Sequence, residues 1–141
     1  MDQTLDNSLG FILARTSMRY KNELGRRFKP FGVTPEQWVA LHKLLEQGGL
    51  TQKELGERIF KDQPTITRIL DKLERKQLIR RSDSDADRRS FRVHLTGQGI
   101  HLLERVMAIS QQVREDACQG VTDRELTGLK ATLNKIWSNL A

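Results

Sequence analysis

The first fifth of the chain carries apolar residues at helical spacing. A run that begins at Leu5 recurs every three or four residues up to Phe28, which is the repeat of an amphipathic helix. Pro30 and Gly32 follow at once, and neither residue type continues a helix readily. The pattern predicts one long first helix that ends by residues 30–32.

The next two helices begin with residues typical of helix N-termini. Thr34 fits an N-cap, Pro35 suits the first helical position, and Gln37 has the spacing of a capping-box partner. Thr51 and Glu54 repeat the capping-box spacing. These residues predict a second helix and a third, shorter one.

A fourth helix is predicted after a turn of three or four residues. Either Asp62 or Gln63 caps it, and Pro64 suits its first turn. Its apolar residues repeat at i, i+3, i+4 and i+7 along one side. They are Ile66, Ile69, Leu70 and Leu73.

The apolar repeat changes after Gln77. Residues 78–82 and 91–95 predict two short strands, and the polar residues 83–90 between them predict a hairpin loop. Two helices joined by a short turn and followed by a hairpin form a helix-turn-helix with a wing.

Two more helices complete the fold. Thr96 caps the fifth, Gly120 ends it, and Thr122 with Glu125 forms the capping box of the sixth. The apolar residues of the sixth helix, at near-heptad spacing, are Leu126, Leu129, Leu133, Ile136 and Leu140. The chain therefore predicts six helices, a mainly α fold with a small β-hairpin wing, and a winged helix-turn-helix.

The composition indicates that the chain has a protein partner, and it shows where the positive charge lies. The 141 residues are 37% hydrophobic and 6% aromatic, which is modest for a free-standing monomer, so some apolar surface is expected to meet a partner. The net charge is +6, and residues 51–95 hold twelve Lys and Arg against eight Asp and Glu. A basic patch is typical of nucleic-acid binding. On charge alone, a DNA-binding protein and an ordinary, mildly basic soluble protein fit the sequence equally well.

Other classes of function find little support in the sequence. We expect a cytoplasmic protein without a signal peptide or membrane span. His42, His94 and His101 are scattered, so we expect no metal and no cofactor. Cys118 is expected to pack inside the protein, with redox sensing as the alternative. No nucleotide-binding or nucleophile motif is present, so an enzyme is the weakest hypothesis.

The fourth helix has side chains suited to reading DNA. In a helix-turn-helix the second helix enters the major groove, and its N-terminal residues reach base edges. Base contacts are predicted for Gln63, Thr65, Thr67 and Arg68, and phosphate contacts for Thr51, Lys72 and Arg75. The alternative is an ordinary amphipathic helix with a solvated charged face. The short capped helix before it and the hairpin after it favour DNA binding.

The hairpin loop carries the second set of candidates. Arg88 and Arg89 follow three aspartates, and a wing of this kind can insert arginine into the minor groove. Asp87 is then expected to orient an arginine through a salt bridge. A solvated loop with compensated charge is the alternative, above all for Arg88.

These runs resemble a known family of bacterial regulators. Residues 50–55, residues 64–74 and the stretch from Asp87 to Thr96 are similar to the MarR family, whose Asp-x-Arg wing motif is matched by Asp87 and Arg89. The resemblance implies a triangular dimer that binds palindromic operator DNA, with residues 34–96 as the DNA-binding lobe. It assigns dimerisation to residues 1–33 and 97–141. It also implies, for many members, release by a small phenolic or aromatic ligand.

The resemblance raises two further expectations. The family usually has glycine where this chain has Gln77, so we expect the turn into the wing to be strained or differently shaped. The ligand cleft implied by the family lies between the first, second and fifth helices. Arg15 would meet a carboxylate there, with Trp38 and His42 as aromatic walls. The alternative makes Trp38 a core residue and His42 a surface residue.

Three hypotheses follow for the function. A ligand-responsive DNA-binding repressor is the leading one. A protein-interaction module built on a winged helix would need an apolar outer face on residues 64–75, and that face is basic and polar. An enzyme comes last.

Overall fold

The computed structural model describes residues 3–84 and 87–141, and only the backbone of residues 83–84 and 87–90. Within them the chain forms the six α-helices that the sequence predicts and a sheet of three strands, where the sequence predicts a hairpin of two. The elements are α1 Leu9–Phe28, α2 Pro35–Glu46, β1 Leu50–Thr51, α3 Gln52–Arg58, α4 Gln63–Arg75, β2 Ile79–Ser84, β3 Asp87–Leu95, α5 Gly97–Ala117 and α6 Asp123–Asn139. Short 3-10 turns flank α1 at Leu5–Asn7 and Lys29–Phe31.

The helix caps follow the sequence closely. The capping box of α2 is complete, because Gln37 N donates to Thr34 Oγ1 at 3.1 Å and Thr34 N donates to Gln37 Oε1 at 3.2 Å. The box of α6 is complete as well. For α3 the structure shows the Thr51 half, in which Glu54 N donates to Thr51 Oγ1.

The sheet is larger than predicted. β2 and β3 pair antiparallel from Ile79 opposite Leu95 outward to Ser84 opposite Asp87, so the predicted loop 83–90 is mostly strand. Backbone hydrogen bonds need no apolar alternation, so a ribbon can continue through polar residues. β1 also pairs with β3, with Leu50 opposite Val93. Two residues are too few for β1 to leave a periodic pattern.

The buried side chains form two clusters. The larger one is the core of the winged lobe. It consists of side chains from α2, α3, α4 and the sheet, together with Leu103 of α5. The smaller one lies between α1 and α5 and consists of Leu24, Phe28, Val106 and Val113. Trp38 and Leu102 pack against both clusters, so they connect the two halves of the chain.

Gln77 adopts a left-handed conformation, so of the two alternatives that the sequence left open, a strained turn or a differently shaped one, the structure has the strained turn. Its φ is 63°, so the turn keeps its shape with a strained residue in it. Phe60, in the turn between α3 and α4, also has a positive φ of 61°, which no sequence pattern indicated.

The last helix is hardly covered by the rest of the chain. α6 contains no buried residue, and Leu129, Trp137 and Leu140 are all exposed. Leu5, Leu9 and Met18 at the N-terminal end are exposed too. No described helix is long and apolar enough to cross a membrane.

Candidate nucleic-acid interface

The helix-turn-helix consists of α3, α4 and the turn between them. Ile66, Leu70 and Leu73 are fully buried on the inner side of α4, and Ile69 is nearly so. Their burial fixes the helix against α2 and α3, so the opposite, polar side is held toward solvent. A rigid polar helix face of this kind can enter a DNA groove.

Asp62 caps the recognition helix α4, which decides between the two caps that the sequence left open. Thr65 N donates to Asp62 Oδ1 at 2.8 Å. Hydrogen bonds from the Thr65 side chain and backbone lower the pKa of the Asp62 carboxyl below its usual 3.8, with smaller contributions from Arg68 and Lys61. The carboxylate is therefore ionised at neutral pH and compensates the positive end of the helix.

Two of the predicted base-reading residues lie toward α3 and the sheet. Gln63 and Thr67 line an open groove of about 710 Å³ between α3, α4 and the wing strands. Its other lining residues are Thr51, Gln52, Lys53, Glu54, Glu57, Arg81 and Phe91. The groove thus brings Gln63 and Thr67 together with Thr51, which the sequence analysis assigned to a phosphate.

The other predicted contacts lie toward α2. Thr65, Arg68 and Lys72 line a small pocket of about 130 Å³ with Thr34 and Glu36, among others. Arg68 Nη2 lies 3.4 Å from Thr65 Oγ1 and donates to it. Arg75 is the last residue of α4 and is exposed.

The cations on α4 and at its C-terminal end differ in how far other groups of the chain hold them. Within the part of the chain that the structure describes, Arg68, Lys72 and Arg75 form no salt bridge. Lys76, by contrast, donates to Gly32 O and to Gln37 Oε1. The Lys76 ammonium is thus held against α2 and the turn before it, whereas the other three cations can reach an anionic partner.

Arg81 is a residue that the sequence analysis missed. It lies on β2, and its Nη2 donates to Asp71 Oδ1 of α4 at 2.8 Å, with Glu74 Oε2 3.9 Å from its Nε. This ion pair connects the wing to the recognition helix. Its partners are ten residues apart, a spacing that no helical or strand repeat picks out.

The wing candidates are only partly placed. Asp87, Arg88 and Arg89 begin β3, and their side chains lie outside the described residues. Their backbone belongs to the ribbon at the far end of the β2–β3 pair, where Asp87 is opposite Ser84.

A separate cavity of about 570 Å³ lies between α1, α2 and α5. Trp38 and His42 line it, together with Tyr20, Met107 and Arg114. The Trp38 and His42 rings meet edge to face at 5.8 Å. Burial raises the pKa of the Tyr20 hydroxyl, with the Cys118 thiol adding to this effect and Arg114 opposing it.

Arg15 is not brought to this cavity. It lies with its guanidinium 5.9 Å from the Phe11 ring and lines a different depression on α1. The arginine that lines the cavity is Arg114 of α5, which the sequence analysis did not name. Cys118 is half-buried. No group of three or more metal-binding side chains occurs among the side chains that the structure describes, those of residues 3–82 and 91–141.

Comparison with known proteins gives the family. The MarR family model matches residues 33–91. A MarR-family transcriptional regulator from Silicibacter pomeroyi is 30% identical, with a TM-score of 0.82, and the match covers 98% of this chain and 93% of that one. A probable transcriptional regulator from Pseudomonas aeruginosa is 31% identical, with a TM-score of 0.83 and coverage of 94% and 99%.

A third structure is similar over the same length. MepR from S. aureus, solved as a complex with DNA, is 28% identical, with a TM-score of 0.85 and coverage of 94% of this chain and 98% of MepR. The fold, the helix-turn-helix and the full-length similarity agree, and the chain belongs to the MarR family of transcriptional regulators.

Proposed function

We propose that this regulator is a repressor that binds a specific double-stranded DNA sequence. Helix α4, over about residues 63–76, enters the major groove, and the wing, residues 83–90, enters the minor groove. The observation that carries the proposal is the outer face of α4, where Arg68, Lys72 and Arg75 are exposed and form no salt bridge within the described chain. The similarity to MepR, solved with DNA, supports it.

The proposal divides the contacts into two kinds. Gln63, Thr65, Thr67 and Arg68 face bases, while Thr51, Lys72 and Arg75 meet phosphates. In the wing, Arg89 and Arg88 approach the minor groove and Asp87 orients an arginine.

The groove between α4 and the wing extends this set. A phosphodiester strand separates neighbouring major and minor grooves, so it must pass between a helix in one and a wing in the other. The 710 Å³ groove has that position, and exposed Lys53 on its edge is a further phosphate contact. Glu54 and Glu57 on the same edge limit how close the strand comes.

A second copy of the chain completes the binding unit. We propose that residues 1–33 and 97–141 form a homodimer, because most exposed large apolar residues of the described chain lie there, on α1 and at α6. Residues 34–96 then act as the DNA-binding lobe, and the dimer presents two copies to a palindromic operator.

We also propose that a small aromatic or phenolic ligand releases the DNA. The cavity between α1, α2 and α5 would hold it, with Trp38 and His42 as walls and Arg114, rather than Arg15, as the cation for an acidic group. Trp38 packs against both buried clusters, so a ligand beside it would move the lobe relative to the dimer helices. The chain acts on transcription in the cytoplasm and catalyses no reaction in this proposal.

The proposal is tested by DNA binding to the region upstream of its own gene. Wild-type affinity should fall at least about a hundredfold between 50 and 200 mM salt, because several phosphate contacts release counterions. Arg68→Ala and Arg89→Ala should each weaken operator binding about tenfold or more while dimer mass and helicity stay intact. Arg124→Ala, an exposed arginine on α6, is the matched control and should bind as wild type. Absence of binding to any duplex at low salt would contradict the proposal.

A further inference from the structure

Gln52, the first residue of α3, is hydrogen-bonded to two residues of the recognition helix. Its Nε2 donates to Thr67 Oγ1 at 2.7 Å and lies 3.4 Å from Gln63 Oε1. A side-chain amide nitrogen carries two hydrogens, so one group serves both acceptors. Gln52 thus connects α3 to the two residues of α4 that line the groove beside the wing.

These contacts leave Thr67 little freedom. Its hydroxyl has one proton, which it donates to Gln63 O at 2.8 Å, and it accepts a hydrogen bond from Gln52. While these bonds stand, Thr67 offers DNA one lone pair and a methyl group, and it has no proton left to donate to a base.

Gln63 is restrained from the other side. A Cβ at Gly56 would lie 3.0 Å from Gln63 Nε2, so the absence of a side chain at Gly56 leaves just enough room for the Gln63 amide. Its Oε1 is directed at Gln52. The amide therefore lies beside α3, with its oxygen facing Gln52 and its nitrogen in the space that a side chain at Gly56 would take.

We propose that Gln52 determines base preference although it lies outside the recognition helix. It is a positioning residue: it holds the Gln63 amide and the Thr67 hydroxyl in one arrangement, and that arrangement is what the DNA meets. The inference rests on the proposed function, because it needs α4 to contact bases. Without Gln52, the Gln63 amide gains rotamers and the Thr67 hydroxyl loses the donor that occupies one of its lone pairs, so the discrimination between base pairs opposite them falls.

The test selects bound duplexes from a random pool with matched variants. Gln63→Met and Thr67→Val first identify the base pairs that these two residues read. Gln52→Met keeps the length of the side chain and removes its hydrogen bonds. It should lower discrimination about three- to tenfold at those same base pairs, the effect of one net hydrogen bond. Gln98→Met, an exposed glutamine in the first turn of α5, is the control and should select the wild-type sequence.

Further measurements separate positioning from folding. Gln52→Met should leave non-specific DNA affinity within about twofold and the melting temperature nearly unchanged. At the base pairs that Thr67 reads, the Gln52→Met/Thr67→Val double variant should lose no more discrimination than Thr67→Val does. An unchanged selected sequence, or a change at other base pairs, would overturn the inference while leaving DNA binding intact. Unfolding of both Gln52→Met and Gln52→Ala would assign Gln52 a purely structural role and overturn it as well. If the wild type selects no sequence at all, the proposed function itself fails.

Discussion

Gln77 is a single residue that strains the backbone at the entrance to the wing. Its φ of 63° lies in the left-handed region, and its carbonyl accepts a hydrogen bond from Thr96 Oγ1 at 2.7 Å. Leu78 N also donates to Leu73 O, which closes the end of α4. The conformation is therefore imposed by the turn and would persist with another residue in place.

Replacing Gln77 by glycine should stabilise the protein. A left-handed residue with a Cβ costs about 1–2 kcal/mol, and the greater freedom of unfolded glycine takes back part of the gain. We expect Gln77→Gly to raise the free energy of unfolding by about 0.5–1 kcal/mol in urea titrations. Gln77→Ala, which keeps the Cβ, should stay close to wild type. A glycine variant less stable than the alanine variant would contradict the strain.

Asp62 makes the start of the recognition helix sensitive to pH. Its pKa is lowered in the folded protein by the hydrogen bonds of Thr65, so the ionised form stabilises the fold. For a carboxyl whose folded pKa is lowered, that contribution is complete well above the unfolded value near 3.8 and disappears as pH falls through the folded value.

The pH effect can be measured against two variants. We expect the melting temperature of wild type to exceed that of Asp62→Ala most at neutral pH, with the difference shrinking below about pH 3.8. Asp62→Asn keeps a capping oxygen without a titrating proton, so its advantage over Asp62→Ala should not depend on pH. A wild-type advantage that persists unchanged at pH 2 would show that the carboxylate charge does not matter.

At the scale of elements, the wing and α5 meet where there is no room for a side chain. A Cβ on Gly99, in the first turn of α5, would lie 2.1 Å from Leu78 O, next to the start of β2. The same carbonyl accepts a hydrogen bond from Thr96 N. Backbone therefore packs directly on backbone, and the orientation of α5 is tied to that of the wing.

Gly99→Ala should push α5 away from the start of β2 and destabilise the protein. Because the clash is with a hydrogen-bonded carbonyl, the backbone itself must shift, and we expect a loss of about 3 kcal/mol in the free energy of unfolding. Gly97→Ala is the control two residues earlier, where a Cβ meets nothing within 4 Å, and it should leave stability unchanged or slightly higher. Equal stability of the two variants would refute the close packing.

The elements that the sequence predicted correctly are those determined by neighbouring residues. Caps such as Thr34 and Thr122 act over three residues, so the helices begin where local patterns indicate. The extent of β3 and the pairing of Leu50 with Val93 depend on residues far apart in the chain, and no local pattern encodes them.

The candidate site follows the same rule. The polar face of α4 follows from its helical repeat. The contacts that hold that face do not, because Lys76 reaches Gly32 across 44 residues and Gln52 reaches Thr67 across 15. Arg15 is a prediction that was wrong for the same reason. It is a suitable residue type on one of the helices that line the cavity, but its position in the chain does not show that it lies away from that cavity.

At the scale of the whole molecule, apolar surface is distributed unevenly. The winged lobe buries most of its apolar residues in one large cluster, whereas α6 buries none and leaves Leu129 53% exposed. A helix with an apolar stripe at near-heptad spacing is stable only when something covers the stripe. A second copy supplies an identical stripe, as two-fold dimers require.

A charge placed on this stripe should therefore convert the dimer to a monomer. Burying one leucine contributes about 1.5–3 kcal/mol, and a two-fold interface contains it twice, so Leu129→Glu should weaken association at least about a hundredfold. Light scattering should then give 16.3 kDa instead of twice that mass, with helicity retained.

Lys130→Glu introduces the same side chain at the neighbouring exposed position and should remain dimeric. Operator affinity should fall in Leu129→Glu alone, because a monomer contacts one half-site. If Leu129→Glu keeps the dimer mass, α6 lies outside the interface and its apolar stripe needs another explanation.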